Sequence, residues 1–246
     1  MSEESSSVNA IFDDSVFFVK NPKNPSRKII ATKNLTPGHS YYGETLVTYK
    51  FGGERAEFRS WDPFRSKLSA SIMNKLEYFP FSKGSRCLYL GASTGTTVSH
   101  LSDIVGTPGT IFAVEVAPRV ARELLENVVK YRKNVVPIIA DAKHPEKYPG
   151  LYGVVDFVYC DIAQPDQTEI AIQNCRTYFE KGVTSTLFLV VKASSIDALK
   201  PKKEIFSQQV HILERSGFQI LQQIDLEPYD RNHAMLVAKI GFTNLS

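Results

Sequence analysis

The alternation of apolar and polar positions divides the chain at Pro63. Upstream, apolar residues come in short runs, VFFVK, KIIATKN, YYGETLVTYKF and ERAEFRSW, broken by NPKNP, TPGHS and FGGE. β-Branched and aromatic runs between such Pro-, Gly- and Asn-rich breaks predict strands and turns, here a small N-terminal antiparallel β module over 15–62. The polar opening, MSEESSS, predicts a disordered tail over 1–14. From Pro63 the period lengthens. FRSKLSASIMNKLEYF sets Leu68, Ile72, Met73, Leu76 and Phe79 on one face of a helix.

Beyond that helix, strands and helices alternate over 63–246. RCLYL, TIFAVE, VVPIIAD, GVVDFVYCD and VTSTLFLVVKA read as strands. The helices between or after them are TTVSHLSDIV, APRVARELLENVVKYR and segments near 166–180 and 201–216. Such βαβα order predicts an α/β fold built on a parallel sheet. FQILQQIDLEP and HAMLVAKIGF close the chain with only the turn YDRN between them, so the last strand should run antiparallel. A seven-stranded, Rossmann-like sheet with that ending is the frame of class I S-adenosylmethionine-dependent methyltransferases rather than of dehydrogenases.

The first strand of this half runs into a glycine loop, Gly91, Ala92, Ser93, Thr94, Gly95, Thr96, Thr97, which opens a helix. Free N–H groups at a helix start face whatever lies over the turn, and glycines let the backbone approach it. The next strand ends in Glu115 and Val116, where a carboxylate meets the ribose diol of a nucleoside cofactor. Asp141 and Ala142 end the third strand, beside the adenine. Asp161 and Gln164 follow the fourth, where the reactive methyl belongs. A single strand-end acid is ordinarily a solvated surface group. Four strand tips in register make the pattern.

Composition narrows the setting. No apolar run approaches the ~20 residues that span a bilayer, and no signal-peptide pattern opens the chain, so no membrane is expected. The 3 cysteines lack metal-ligand spacing and predict a reducing compartment and no metal. The net charge of +3 is unevenly placed: residues 18–75 hold 11 Lys or Arg against 4 acids. A charge run is most simply a solvated face. It is also the electrostatic footprint that a phosphate backbone requires.

Four further residues are candidates for chemistry: Lys67 at the start of the first helix, Asp161, Lys192 at the end of LFLVVK, and His233 at the start of the last strand. A lysine ending an apolar strand is poorly solvated, which makes it a candidate base. Singly, Lys192 reads as a snorkelling side chain, Lys67 as a surface lysine and His233 as a structural histidine.

Long ordered blocks give these residues a context: IATKNLTPGHSYYGE at 30–44, WDPFRSKL at 61–68, YLGASTGTTVSHLSDIVG at 89–106, DAKHPEKY at 141–148, DIAQPDQT at 161–168, VKASSID at 191–197 and LEPYDRNHAMLV at 226–237. In these the chain resembles the fibrillarins, over about residues 15–240. The resemblance implies S-adenosylmethionine-dependent 2′-O-methylation of ribose in pre-rRNA, with S-adenosylhomocysteine as product. It also implies a box C/D guide ribonucleoprotein, in which guide RNA pairing selects the target, a Nop-domain protein is the scaffold and a kink-turn-binding protein organises the RNA. Lys67, Asp161, Lys192 and His233 correspond to the family's catalytic group. Of these, Lys192 is expected to be the base and Asp161 to orient it or the hydroxyl, while Lys67 and His233 hold the ribose and phosphate.

Eukaryotic members carry a Gly/Arg-rich N-terminal extension, which MSEESSS does not resemble, whereas PFRSKL, QPDQT and VKA lean toward the eukaryotic branch. The nucleolus is therefore the expected location, with archaeal cytoplasm the alternative. Two other functions compete: methylation of a protein, such as a histone glutamine, and a non-catalytic ribonucleoprotein scaffold.

Overall fold

A computed structural model describes residues 7–12 and 14–241. The N-terminal module is a five-stranded antiparallel sheet in the order β1-β2-β3-β5-β4. Its strands are β1 (Val8–Phe12), β2 (Val16–Asn21), β3 (Asn24–Lys33), β4 (Leu46–Phe51) and β5 (Glu54–Ser60). Strand β1 corrects the expectation of a tail running to residue 14. Val8, Asn9 and Ala10 pair with Val19, Phe18 and Phe17 of β2, and Val8 is buried against the module's core. The expected disorder of residues 1–6 lies outside the described residues.

The larger unit is a seven-stranded sheet in the order β11-β12-β10-β9-β6-β7-β8. Its strands are β6 (Arg86–Leu90), β7 (Thr110–Glu115), β8 (Val135–Ile139), β9 (Phe157–Cys160), β10 (Thr184–Lys192), β11 (Gln219–Asp225) and β12 (His233–Gly241). β12 slots between β10 and β11, antiparallel to both, as the missing connecting helix foretold. It is buried on both faces: Met235 and Val237 join one core, Ala234, Leu236 and Ala238 the other. Period-two alternation with both faces apolar is what a central strand demands.

The helices are α1 (Lys67–Met73), α2 (Thr96–Val105), α3 (Pro118–Leu124), α4 (Gln167–Tyr178), α5 (Ala193–Ile196) and α6 (Lys202–Arg215). A π-turn over Leu125–Val129 prolongs α3. None of the helices among the described residues is long and apolar enough to cross a membrane. α1 is shorter than its apolar periodicity predicts. Asn74 caps it and Lys75 takes φ +68°, so Leu76 and Phe79 reach the core from the following loop while Met73 is 38% exposed.

The two units are joined by a buried ionic network. Both oxygens of Asp103, on α2, are taken: Oδ2 by Arg59 Nη1 at 2.9 Å and Thr32 Oγ1 at 2.7 Å, Oδ1 by Arg132 Nη1 at 2.5 Å and Leu35 N at 2.9 Å. Arg59 also reaches Glu44 at 2.7 Å and Ser99 Oγ at 2.8 Å. Both guanidinium groups lie over the Tyr41 ring, 4.3 and 4.5 Å from its centroid. Buried charge is tolerable only when paired and hydrogen-bonded throughout, and here it is. Beside it, His100 bonds Thr32 Oγ1 at 2.7 Å and the Tyr42 hydroxyl at 2.6 Å, and stacks on Trp61. Burial, reinforced by Arg59 and Arg132, holds the His100 ring well below its ordinary pKa.

Candidate active site

The sheet reverses its winding between β6 and β9, and ligands of open α/β sheets collect beyond the carboxyl ends of the strands at such a point. A cleft of about 260 Å³ opens there. Its walls include Gly91 and Ser93 after β6, Glu115 and Val116 at the tip of β7, Asp141 and Ala142 after β8, Asp161 and Gln164 after β9, and Lys192 at the end of β10. Nine of the residues singled out in the sequence thus line one cavity.

Gly91 is required by close approach. Its φ is +81°, and a Cβ there would sit 2.8 Å from the main-chain oxygen of Asp161. Two strand tips can therefore meet only at glycine, which leaves the main chain bare along the cleft. Gly95 has φ +95°, and a Cβ would fall 2.6 Å from Val128. It allows the α2 start to pack on the π-turn rather than to touch a ligand.

Glu115 is buried, with Oε2 accepting from Ser93 N at 2.8 Å and Oε1 from Ala117 N at 2.9 Å. Each oxygen has one donor and keeps a second lone pair, so the carboxylate is fixed in place with acceptor capacity left for a diol. Asp141 Oδ1 accepts from Lys143 N at 3.0 Å. Val116 is 56% exposed and lines the cleft together with Ile162, Ala163 and Ile170. Apolar sides with acids at the ends suit a flat heterocycle carrying a ribose.

Ala92, Gly95, Thr96 and Thr97 do not line the cleft. The hydroxyl of Thr97 lies 2.9 Å from Ser66 Oγ, and Ser66 is the N-cap of α1. That bond ties the start of α2 to the start of α1, and so positions Lys67.

The candidate catalytic residues come together as a chain of alternating charge. Lys192 Nζ is 2.8 Å from Asp161 Oδ1 and donates to the Asp161 carbonyl at 2.9 Å. Lys67 Nζ is 3.3 Å from Asp161 Oδ1 and 3.6 Å from Asp230 Oδ2. Asp230 Oδ1 in turn is 2.8 Å from His233 Nδ1. Sheet register sets the spacing, since Lys192 and His233 are direct cross-strand partners and Asp161 follows the neighbouring β9. Gln167, fully buried, accepts from Lys192 N at 3.0 Å and so fixes the end of β10.

His233 Nδ1 faces two acceptors, Asp230 and the Arg231 carbonyl at 2.7 Å. It therefore carries a proton, and a neutral ring offers Nε2 as acceptor, an assignment made from these contacts. Burial opposes the charge on Asp230, but its bond to His233 and the nearby Lys67 prevail and hold its carboxyl below the ordinary 3.8. Asp230 was missed in the sequence, where YDRN reads only as a turn. Its place three residues before His233 is the signal that was available.

The family model described as Fibrillarin matches residues 10–241. The chain belongs to the fibrillarin family. The chain is 49% identical to the "fibrillarin-like rRNA/tRNA 2′-O-methyltransferase" of Sulfolobus acidocaldarius, over 85% of this chain and 88% of that protein. Among solved structures, it matches Aeropyrum pernix fibrillarin in complex with natively bound S-adenosyl-L-methionine at a TM-score of 0.80 and 40% identity, covering 94% and 98% of the two chains. It matches a fibrillarin/Nop5p complex at 0.74 and 38%, covering 87% and 94%. Among the described residues of this fibrillarin-family chain, no group of three or more His, Cys, Asp or Glu side chains could hold a metal ion.

Proposed function

We propose that the chain is the catalytic subunit of a box C/D ribonucleoprotein and methylates ribose 2′-hydroxyls of rRNA that guide RNA has paired. One observation supports this most: the Lys192–Asp161–Lys67–Asp230–His233 chain begins on the wall of a cleft whose other tips suit an adenosine-bearing cofactor. S-adenosylmethionine, bound there, supplies an electrophilic methyl on a sulfonium. Glu115 would accept from its ribose hydroxyls, Asp141 and Ala142 would face the adenine edge, and the bare main chain at Gly91 would pass the methionine part.

A ribose hydroxyl is a poor nucleophile at neutral pH and needs a proton acceptor and in-line placement. Asp161 and Lys192 are the members of the charge chain that also wall the cleft, so the hydroxyl belongs beside them. The 2′-oxygen would bond the methyl carbon as the carbon–sulfur bond breaks, its proton passing to Lys192, which must enter the step as the neutral amine, with Asp161 orienting the amine and the hydroxyl. Lys67 and His233, held through Asp230, place the ribose and its phosphate.

The Nop-domain protein holds the subunit against the guide, and a kink-turn-binding protein organises the RNA. In a eukaryotic cell the particle would work in the nucleolus; in an archaeon, in the cytoplasm. The reading is tested in a reconstituted particle with labelled S-adenosylmethionine and a guide-matched RNA. Label should enter the target and vanish when the target sugar is 2′-deoxy. Cofactor binding and assembly without labelling would refute it.

A further inference from the structure

Phe64 is 68% exposed, a position that apolar burial disfavours and that its neighbours hold in place. Asp62 Oδ1 accepts from Phe64 N at 2.9 Å, and Asp62 O accepts from Arg65 N at 3.1 Å. Arg65 is pinned in turn, donating to the Tyr42 carbonyl at 3.0 Å with its guanidinium 4.6 Å from the Tyr42 ring centre. The turn is thus braced from behind, and the Phe64 ring rests edge-on against Tyr229, with centroids 5.1 Å apart and planes at 70°. Tyr229 packs partly against the core.

Each member of this aromatic pair is close in sequence to a member of the charge chain. Phe64 lies three residues before Lys67, and Tyr229 immediately precedes Asp230, the carboxylate that joins Lys67 to His233. An exposed Arg231 follows. A rigid apolar ledge flanked by cations, at the lip of a site that takes a ribose hydroxyl, fits a sugar–phosphate surface. If guide pairing selects the target, the substrate is an A-form duplex. Its 2′-hydroxyls lie in a wide, shallow minor groove that proteins read by shape and sugar contacts.

We propose that Phe64 and Tyr229 form a seat for the minor groove of the guide–target duplex, Phe64 packing on the sugar of a target-strand nucleotide beside the one methylated. The inference rests on the ribose-methylation reading and adds to it the surface that aligns the duplex with Lys192. Contact with sugars, which every nucleotide shares, leaves sequence choice to the guide.

The test uses the reconstituted particle with F64A and F64L. F64A should lower kcat/KM for target RNA about tenfold, as loss of an apolar ring contact implies, and leave S-adenosylmethionine affinity unchanged. F64L, which restores apolar bulk without an aromatic face, should recover most of the loss. The F64A defect should keep its size on a target whose methylated nucleotide lacks its base. A photo-crosslinking residue at position 64 should attach to target-strand nucleotides next to the methylated one. A defect that disappears on the abasic target, or that F64L fails to repair, would mean stacking on an extruded base and overturn the seat. Wild-type rates in F64A, or crosslinks only to protein, would overturn it as well. Absence of ribose methylation by the wild-type particle is a separate result, striking the functional reading itself.

Discussion

Two clusters of alternating charge lie in this molecule and differ in almost everything except sign. At the joint between module and sheet, Arg59, Asp103, Arg132 and Glu44 are almost wholly buried, and both oxygens of Asp103 are occupied. At the strand tips, Lys192, Asp161, Lys67, Asp230 and His233 keep 14–31% of their side-chain surface open. The first uses arginine, whose planar fork stays charged and binds in fixed directions. The second uses lysine and histidine, which can give up a proton. A network becomes a scaffold when its geometry is closed, and a site when donors and acceptors are left over.

The sharpest way to break that contrast is to place an arginine in the open cluster. K192A should reduce methyl transfer by about 10²- to 10⁴-fold, the usual contribution of a proton acceptor, with cofactor binding intact. K192R keeps the positive charge and loses the ability to accept a proton at neutral pH, so single-turnover transfer should fall by a similar factor. Near-normal transfer in K192R would make Lys192 a fixed charge like Arg59, and the proton acceptor would have to be sought at His233 Nε2.

The matching experiment removes the acid from each network. D103A leaves two arginines buried without their shared partner, a loss expected to cost about 3–5 kcal/mol in urea unfolding. D161N should cost no more than about 1 kcal/mol, because Lys192 keeps the Asp161 carbonyl and Lys67 keeps Asp230. Equal destabilisation by the two variants would show that the open cluster is also structural cement.

A third substitution tests the boundary between scaffold and site. G91A must hold φ near +81° with a Cβ 2.8 Å from the Asp161 oxygen, so the β6 and β9 tips must part. The left-handed conformation alone costs about 1–2 kcal/mol for alanine. S-adenosylmethionine affinity should drop about tenfold by calorimetry, the factor that 1.4 kcal/mol represents. An unchanged affinity would mean that the glycine serves chain reversal alone.

The two clusters were not equally visible in the sequence. RCLYL gave β6 to the residue, and the acids at the strand tips were readable because one strand carries both the apolar run and the polar end that faces the ligand. Asp161 follows β9, Lys192 ends β10 and His233 begins β12, so each sits at a strand boundary that local pattern marks. The buried joint was not readable, because Arg59, Asp103 and Arg132 come from a strand, a helix and a loop with no shared period. Its place in the glycine loop marks Thr97 as a cofactor contact, yet its hydroxyl faces Ser66, a partner that only tertiary structure supplies. The end of α1 escaped because Lys75 takes a left-handed conformation without a glycine or proline to announce it.

A further expected effect concerns protons at the closed joint. His100 is buried and neutral in the fold, its pKa held well below 6.5 by burial and the two arginines, while the unfolded chain takes up the proton near 6.5. Below 6.5 the unfolded state binds more protons, so stability rises with pH through this window and is lost as pH falls toward the lowered folded value. The slope for one proton is about 1.4 kcal/mol per pH unit. Glu44 acts in a different window. Burial works against its charge, but Arg59 and the main-chain donors of Tyr41 and Tyr42 hold its carboxyl below 4.5, so its contribution is lost only in more acid solution. Urea unfolding of the wild type between pH 7 and pH 5 should therefore show the histidine slope, and H100Q should flatten it. A wild-type slope that survives in H100Q would place the acid sensitivity in another titrating group and leave the joint indifferent to pH until its carboxylates protonate.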